Sequence, residues 1–337
     1  MGRSGVLKSS ILLFSLSILL LACESEPKKS PSKAIKKAKP EFTVERPSFD
    51  EDSAYAFVEK QVSFGPRVPN TEAHKRTANY LSSKLASYNF NVIEQKGVVT
   101  AFNGDKLNMV NIIGEYLPEL NNRVLLFAHW DSRPFADQDS KNKSKPIDGA
   151  NDGASGVGVL LEIARQLDKL KPNIGVDIIF FDAEDYGQPS SAMAQRKEGT
   201  WCLGSQFWAN QPHKPNYSAN YGILLDMVGA KDAKFTKESI SMYFAPQVVN
   251  QVWSIAKALG HGNHFVFQET THVGEDDHLY VNKIAKIPSI DIIQYDPSTQ
   301  AFAPHWHTHD DNMEVIDKAT LEAVGETVLA TVIRESK

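Results

Sequence analysis

Several strand-length runs of almost uniformly apolar residues, separated by stretches with helical periodicity, constrain the fold of this chain more than any other feature. The runs occupy residues 124–128, 176–181, 222–225 and 287–293, and shorter strand patterns cover 92–99 and 109–113. Helical spacing of apolar residues covers 50–62, 71–88, 154–170, 247–259 and 318–333. Strands that are apolar on both faces must be covered on both faces. We therefore predict a single α/β domain with a central twisted, mostly parallel mixed β-sheet and helices on both sides.

The N-terminal 45 residues have a different character from the rest of the chain. Residues 1–22 combine a basic start with an apolar run at 11–21 that is too short to span a membrane, and Cys23 follows. This segment resembles the signal peptide of bacterial lipoproteins, in which the cysteine becomes the lipidated first residue. We predict a signal peptide over 1–22, a lipidated Cys23 with a flexible Lys/Pro/Ser tether over 23–45, and a globular domain over 46–337. An ordinary secretory peptide, cut nearby and leaving Cys23 without a role, is the alternative.

The distribution of charge along the chain limits the kinds of partner that the domain can bind. Residues 1–40 carry a net charge of +6, which leaves −11 for residues 41–337 out of a total of −5. An acidic domain argues against nucleic acid as a partner.

A lipoprotein signal implies the bacterial cell envelope, either the periplasm or an anchor in the outer membrane. Once Cys23 is lipidated only Cys202 remains, and we predict a small buried residue there rather than a nucleophile, because nothing nearby in sequence supplies a base.

Polar residues follow three of the apolar runs at the point where each run ends. They are His129 and Asp131 after the first run, Asp182, Glu184 and Asp185 after the second, and Asp226 after the third. Because ligand sites in open α/β sheets gather at the carboxyl ends of strands, we expect these side chains to converge. Histidine and carboxylate ligands without thiolates suit a divalent ion such as zinc.

Each of these residues also has a simpler explanation when it is taken alone. Asp152, just ahead of the helix at 154–170, could be only an N-cap. His129 could be a hydrogen-bonded core histidine, and Glu184 with Asp185 could form a solvated loop. The repetition of the pattern at three strand ends favours a site. In such a site one carboxylate of the adjacent pair can bind a cation while the other transfers protons.

Four segments resemble the motif series of the zinc-dependent M28 peptidase superfamily. They are His129-Trp130-Asp131-Ser132, residues 149–156 (GANDGASG), residues 180–185 (FFDAED) and residues 225–229 (LDMVG). The order and spacing of the motifs match over roughly residues 50–335, and the resemblance implies a zinc-exopeptidase-like fold for the predicted domain at 46–337. Members with two metals bind them through residues matching His129, Asp152, Asp185, Asp226 and His307. Glu184 matches their catalytic carboxylate.

The C-terminal third resembles the animal-type glutaminyl cyclases, a transferase branch of this superfamily, in residues 275–279 (EDDHL) and 305–312 (HWHTHDDN). That resemblance implies one catalytic Zn²⁺ bound by Asp152, Asp185 and His307. It makes Glu184 the proton shuttle, with Asp226 and Asp276 in a catalytic hydrogen-bond network, and it places Trp306 in the wall of the substrate pocket. His129 becomes a possible second-metal ligand or a residue behind the metal ligands. Asp185 departs from the animal enzymes, which have Glu there.

The implied activity is cyclisation of an N-terminal Gln of peptides or proteins to pyroglutamate with release of ammonia, by a monomer. A two-metal aminopeptidase is the main alternative, and a binding lipoprotein with an inactive site is a third interpretation. Of the three histidines at 305, 307 and 309 we expect only His307 to bind metal. We also predict that Trp201 and Trp208 are core residues.

Overall fold

Eight β-strands build the framework of the computed structural model, which describes residues 43–189, 197–271 and 273–337. In chain order they are β1 (Asn91–Thr100), β2 (Lys106–Tyr116), β3 (Arg123–His129), β4 (Gly175–Phe181), β5 (Gly222–Asp226), β6 (Phe235–Glu238), β7 (Phe265–Thr270) and β8 (Ser289–Ile293). Six of them form a sheet in the order β1-β2-β4-β3-β5-β8. The β4-β3, β3-β5 and β5-β8 pairs are parallel, and β1-β2 and β2-β4 are antiparallel. The predicted mixed, mostly parallel sheet is confirmed.

Both faces of this sheet are covered by apolar side chains. Val124 and Leu126 of β3 belong to one buried cluster, whereas Leu125 and Phe127 belong to another. This division follows from the alternation of side chains along a strand. Every residue of β3, β4, β5 and β8 is buried, which explains why these strands read as unbroken apolar runs.

Eight α-helices accompany the strands in the described part of the chain. They are α1 (Glu51–Val62), α2 (Glu72–Ala86), α3 (Ala154–Leu170), α4 (Leu203–Asn210), α5 (Ser239–Phe244), α6 (Pro246–Leu259), α7 (Asp277–Tyr280) and α8 (Lys318–Glu335). α3 packs against β3, and α1 and α8 pack beside α3. Trp208 of α4 belongs to the cluster on the other face. Within the described residues, no helix combines the length and the apolar character that crossing a membrane requires.

The structure departs from the sequence prediction at a few elements. The strand predicted over 287–293 begins at Ser289, because Pro288 has no N–H to donate to a ladder. A small parallel pair, β6 and β7, was not predicted; β7 is mostly exposed and lacks the apolar pattern of the central strands. The predicted signal peptide, Cys23 and most of the tether lie outside the described residues.

Candidate metal and catalytic site

The carboxyl ends of β3, β4 and β5 lie next to one another, and the polar residues that follow them meet there. His129 is the last residue of β3 and Asp226 is the last residue of β5. Asp185 follows β4, and Asp152 lies in the loop before α3. His307 comes from the segment between β8 and α8, so that five separate parts of the chain contribute buried side chains to one site.

Asp152, Asp185 and His307 form a triad of possible metal ligands. Their donor atoms all lie within 4.8 Å of one another. His307 Nε2 is 3.2 Å from Asp185 Oδ1 and 3.6 Å from Asp152 Oδ2. Asp185 Oδ2 is buried without a hydrogen-bond partner, which is costly unless a cation or another group satisfies it. Carboxylate oxygens and imidazole nitrogens both bind zinc, and catalytic zinc sites have three protein ligands and one open position, so these residues fit zinc.

A second triad shares Asp152 with the first. His129 Nε2 is 3.0 Å from Asp152 Oδ1 and 3.3 Å from Asp226 Oδ1. Asp152 thus presents one oxygen to each triad. In both triads the three donor atoms lie within 4.8 Å of one another. This geometry suits either a second cation or a histidine that donates its proton to the two carboxylates. Gly153, not Asp152, is the N-cap of α3, so the capping explanation for Asp152 is wrong.

Glu184 is buried beside the metal triad but points to different neighbours. Its carboxylate lies within 4.8 Å of Cys202 and Asp276 donor atoms. Burial raises the pKa of Glu184 well above its usual range, and the nearby carboxylates of Asp185 and Asp276 raise it further. A carboxyl group with such a raised pKa can both accept and return a proton.

Asp226 and Asp276 add two more buried carboxyls to the same place. Burial raises the pKa of Asp226 to about 7, and repulsion by Asp276 acts in the same direction. Asp276 is the N-cap of α7, and its Oδ1 accepts a hydrogen bond from the backbone N–H of Asp277 at 2.6 Å. Burial also raises the pKa of Asp276. Buried carboxyls that repel one another in this way are not all ionised at once.

Sequence reasoning missed Asp291, which extends this carboxyl group. An oxygen of Asp291 lies within 4.8 Å of donor atoms of Asp276 and His278. Burial raises the pKa of Asp291 well above its usual range, with repulsion from Asp276 and Asp226 adding to the effect. The available signal was a lone carboxylate between two isoleucines of strand β8, since such a residue is almost never fully buried without a partner.

Two buried residues hold the loop that carries Asp152, and neither was predicted. The carboxylate of Asp311 accepts hydrogen bonds from the backbone N–H groups of Asn151 at 2.7 Å and Asp152 at 3.1 Å. Arg67 donates to the carbonyls of Gly149 at 2.7 Å and Trp130 at 3.0 Å. A fixed loop keeps Asp152 in place for both triads.

Asp131, one of the residues at the strand ends, holds the adjacent carboxylate pair. Its two oxygens accept from the backbone N–H groups of Glu184 at 3.0 Å and Asp185 at 3.2 Å. Asp131 therefore fixes the backbone of Glu184 and Asp185, and it is not a member of either triad.

A small pocket opens beside the first triad. Its volume is about 220 Å³, below the roughly 300–1,000 Å³ of pockets for drug-sized ligands. Glu184, Asp226 and Asp276 line it on the polar side, and Trp201 and Trp306 line it on the apolar side. The Trp306 and His307 rings are stacked with centroids 3.7 Å apart. The pocket is large enough for one amino-acid side chain, and its carboxyl groups can transfer protons.

The prediction that Trp201 is a core residue is wrong, whereas Trp208 is completely buried as predicted. The Trp201 ring lines the pocket and lies nearly parallel to the His307 ring, with centroids 5.8 Å apart. The Arg133 guanidinium lies 4.6 Å from the centroid of the Trp201 ring, a cation–π contact that holds the indole. The contacts that place Trp201 at the pocket involve Arg133 and His307, which are distant in the sequence, so no local pattern encodes this position.

The three alternating histidines near the C-terminus have different environments. His305 Nε2 lies 3.2 Å from the Asn151 amide nitrogen, and His309 Nδ1 lies 2.7 Å from Asp139 Oδ2. Of the three, only His307 joins a triad.

A central parallel sheet whose strand ends carry two ligand triads with one shared carboxylate defines a zinc-exopeptidase-like protein. Residues 111–332 match the model of peptidase family M28. The chain belongs to this family.

Solved structures of two bacterial proteins are similar over most of the chain. The glutaminyl cyclase of Tannerella forsythia is 56% identical with a TM-score of 0.83, over 85% of this chain and 99% of that chain. A Zn-dependent exopeptidase from Parabacteroides distasonis is 54% identical with a TM-score of 0.83, over 86% of this chain and 99% of that chain.

Curated relatives are more distant. The glutaminyl-peptide cyclotransferase of Bothrops jararaca is 26% identical over 251 residues, which cover 66% of this chain and 64% of the relative. Aminopeptidase YwaD of Bacillus subtilis is 29% identical over 215 residues, or 64% of this chain. The chain spans 41% of the length of YwaD and so lacks a match to more than half of that relative.

Proposed function

We propose that this chain is a glutaminyl-peptide cyclotransferase, which converts an N-terminal Gln of peptides and proteins to pyroglutamate and releases ammonia. The observation that carries the proposal is that Glu184, Asp226 and Asp276 line one small pocket beside the metal triad. The 56% identity with the Tannerella forsythia glutaminyl cyclase supports the same function.

Asp152, Asp185 and His307 are the residues that we propose to hold a single zinc ion. When bound, zinc supplies a Lewis acid that polarises the carbonyl of the glutamine side chain. Asp311 and Arg67 keep Asp152 in position through the loop at 149–152.

Glu184 moves the proton that the reaction requires. A bond forms between the α-nitrogen of the substrate and its side-chain amide carbon, and the bond from that carbon to the amide nitrogen breaks. Glu184 accepts a proton from the α-amine and returns it to the departing nitrogen, which leaves as ammonia. Glu184 accepts the proton as the carboxylate, and burial, which raises its pKa, stabilises the neutral carboxyl that holds the proton until it is returned.

Asp226 and Asp276 bind the polar end of the substrate and orient Glu184. Both line the pocket, and a proton shared within this group lets one carboxyl donate while the other accepts. His129 holds Asp152 and Asp226 together through its Nε2. The nucleophile and the electrophile belong to one residue, so a fixed orientation supplies much of the rate.

Trp201 and Trp306 form the apolar side of the pocket around the methylene groups of the glutamine. Each ring is stacked with that of His307, with centroids 5.8 Å and 3.7 Å away. Exclusion of water by these rings protects the side-chain amide from hydrolysis.

A second candidate function is removal of the N-terminal residue by a two-metal aminopeptidase. The complete triad of His129, Asp152 and Asp226 favours it, as does the similarity to the Parabacteroides distasonis exopeptidase. In that mechanism Glu184 is the general base for an attacking water. Asp276 then has no evident task, which is why we propose the cyclase first.

The test uses a short peptide that begins with Gln, a second that begins with Leu, and mass spectrometry of each after incubation with the protein. The cyclase predicts loss of one ammonia from the Gln peptide alone, and no such loss after a zinc chelator is added. Release of the free N-terminal residue from either peptide contradicts the cyclase and supports the aminopeptidase.

We further propose that the chain is a monomer attached to the bacterial cell envelope, periplasmic or at the outer membrane, by a lipid on Cys23. The basic start, the short apolar run and the position of Cys23 support this proposal. Metabolic labelling with a fatty-acid analogue is expected to mark the chain, and the Cys23→Ser variant is expected to stay unlabelled. Labelling of that variant contradicts the anchor, and a dimer in light scattering contradicts the monomer.

A further inference from the structure

Cys202 lies directly behind the proposed proton shuttle. It is the residue before α4, it is completely buried, and its Sγ lies 3.2 Å from Glu184 Oε1. Glu184 lines the substrate pocket. The Glu184 carboxyl thus lies between the thiol on one side and the pocket on the other.

The backbone around Cys202 is tied to the loop that carries Glu184. The N–H of Cys202 donates to the carbonyl of Glu184 at 3.0 Å, and the N–H of Leu203 donates to the carbonyl of Ala183 at 3.1 Å. A Cβ on Gly204 would stand 2.2 Å from the Asp182 carbonyl oxygen, so only glycine allows α4 to approach this closely. The thiol therefore has a fixed position relative to Glu184.

We propose that Cys202 is a positioning residue, whose S–H donates a hydrogen bond to Glu184 Oε1 and orients the carboxyl so that Oε2 faces the substrate. The role in catalysis depends on the proposed cyclase function. Without this donor, the Glu184 side chain can adopt other rotamers. Its carboxyl then has the orientation needed for proton transfer to or from the bound substrate less often.

The chemistry of the surroundings keeps the thiol in its donating form. Burial raises the pKa of Cys202 well above its usual range, and the Glu184, Asp277 and Asp276 carboxyls raise it further. A neutral S–H is a weak donor, and it can serve here because the carboxyl that it contacts is buried.

Two substitutions separate hydrogen bonding from packing. Serine and alanine are both smaller than cysteine, and neither is β-branched, which matters because Cys202 has a φ of 56°. Only serine keeps a donor. We expect Cys202→Ala to lower kcat for a Gln peptide by roughly 10-fold to 100-fold with little change in KM, and Cys202→Ser to keep kcat within about threefold. Equal losses in both variants, or no loss in either, would overturn the proposal.

Infrared spectroscopy tests the contact without any turnover. The chain has two cysteines, Cys23 and Cys202, so the full chain with the Cys23→Ser substitution carries Cys202 as its only thiol. The S–H stretching band of this protein, absent when Cys202→Ser is added, is expected at a hydrogen-bonded frequency. It should move to that of a free thiol in Glu184→Ala.

An unmoved band in Glu184→Ala contradicts the contact and the proposal with it. If the band moves but the wild-type protein cyclises no peptide, the proposed function fails while the thiol–carboxyl contact stands. Zinc content and melting temperature, measured for each variant, show whether the fold and the metal triad are intact.

Discussion

Glu184 and Asp185 are adjacent in the sequence, but the structure gives them different neighbours. Asp185 contacts His307 at 3.2 Å in the metal triad, whereas Glu184 contacts Cys202 and lines the pocket. The backbone of both is held by Asp131. One carboxylate can therefore bind zinc while the other exchanges protons, as the sequence analysis proposed for the pair.

Replacement of Glu184 by glutamine removes the proton shuttle but keeps the size of the side chain. We expect Glu184→Gln to lower kcat by roughly 10²-fold to 10⁴-fold, with one zinc per chain retained, since Glu184 is not in the metal triad. Turnover of the Gln peptide and metal analysis of the same sample measure the two effects. Loss of zinc in this variant would place Glu184 among the ligands.

The two tryptophans near α4 should respond differently to truncation. Trp201→Ala removes part of the pocket wall, and we expect KM for a Gln peptide to rise about tenfold, equivalent to ~1.4 kcal/mol of lost binding. Trp208→Phe in the core is expected to lower the melting temperature and leave KM unchanged. Steady-state kinetics and thermal unfolding of both variants provide the comparison. An unchanged KM in Trp201→Ala would return Trp201 to a structural role.

At the scale of elements, strand ends and a helix start position three of the functional side chains. His129 and Asp226 end β3 and β5, and Asp276 is the N-cap of α7. The side chains that follow a parallel strand lie at its carboxyl end. The carboxyl ends of neighbouring parallel strands lie side by side, so these side chains come together. Glu238 has a comparable place as the last residue of β6, where its carboxylate caps α5 and contacts His278 Nε2 at 3.2 Å.

The buried pair of Glu238 and His278 should contribute to stability in a pH-dependent way. Burial raises the pKa of Glu238, but hydrogen bonds from His278 and Ser241 outweigh burial, and the net pKa is lowered. A lowered pKa in the folded state means that the contribution is complete above the unfolded pKa of 4.5 and is lost as the pH falls through the folded value.

We therefore expect Glu238→Gln to lower the free energy of unfolding by about 3 kcal/mol at pH 7 and by less below pH 4. Urea denaturation at both pH values measures the difference. Glu269→Gln, on the neighbouring strand β7 and exposed, is the matched control and should change stability little at either pH. An equal loss at both pH values for Glu238→Gln would show that its carboxylate charge is not what stabilises the fold.

At the scale of the whole molecule, the metal triad joins distant parts of the chain. Asp152 precedes α3, Asp185 follows β4, and His307 lies beyond β8. A cation bound only by the folded state stabilises that state, by ~2.7 kcal/mol when its concentration is 100 times its dissociation constant.

Removal of zinc should consequently lower the melting temperature as well as activity. We expect a chelator to reduce the melting temperature of the wild-type protein, and added zinc to restore it. His307→Ala should melt at the lower temperature with or without chelator. A chelator that leaves the wild-type melting temperature unchanged would contradict a zinc ion bound at this triad.

The strands and long helices could be predicted because their signals are local. The apolar runs of β3, β4 and β5 and the periodicity of α3 lie within single segments, and their bounds shift by only a few residues. Asp291 and Trp201 could not be assigned in this way. Asp291 matters through Asp276 and His278, and Trp201 matters through Arg133 and His307, all of which lie elsewhere in the sequence.

The sequence by itself determined the mostly parallel sheet, the carboxyl ends of its strands as the place of the site, and the residue types that suit zinc. These features could be determined because periodicity and strand ends are properties of neighbouring residues. Only the tertiary structure decided that Asp152 presents one oxygen to each of two triads. It also decided that a buried thiol contacts Glu184. These contacts join segments far apart in the chain, and their distances depend on how the loops pack rather than on any local pattern.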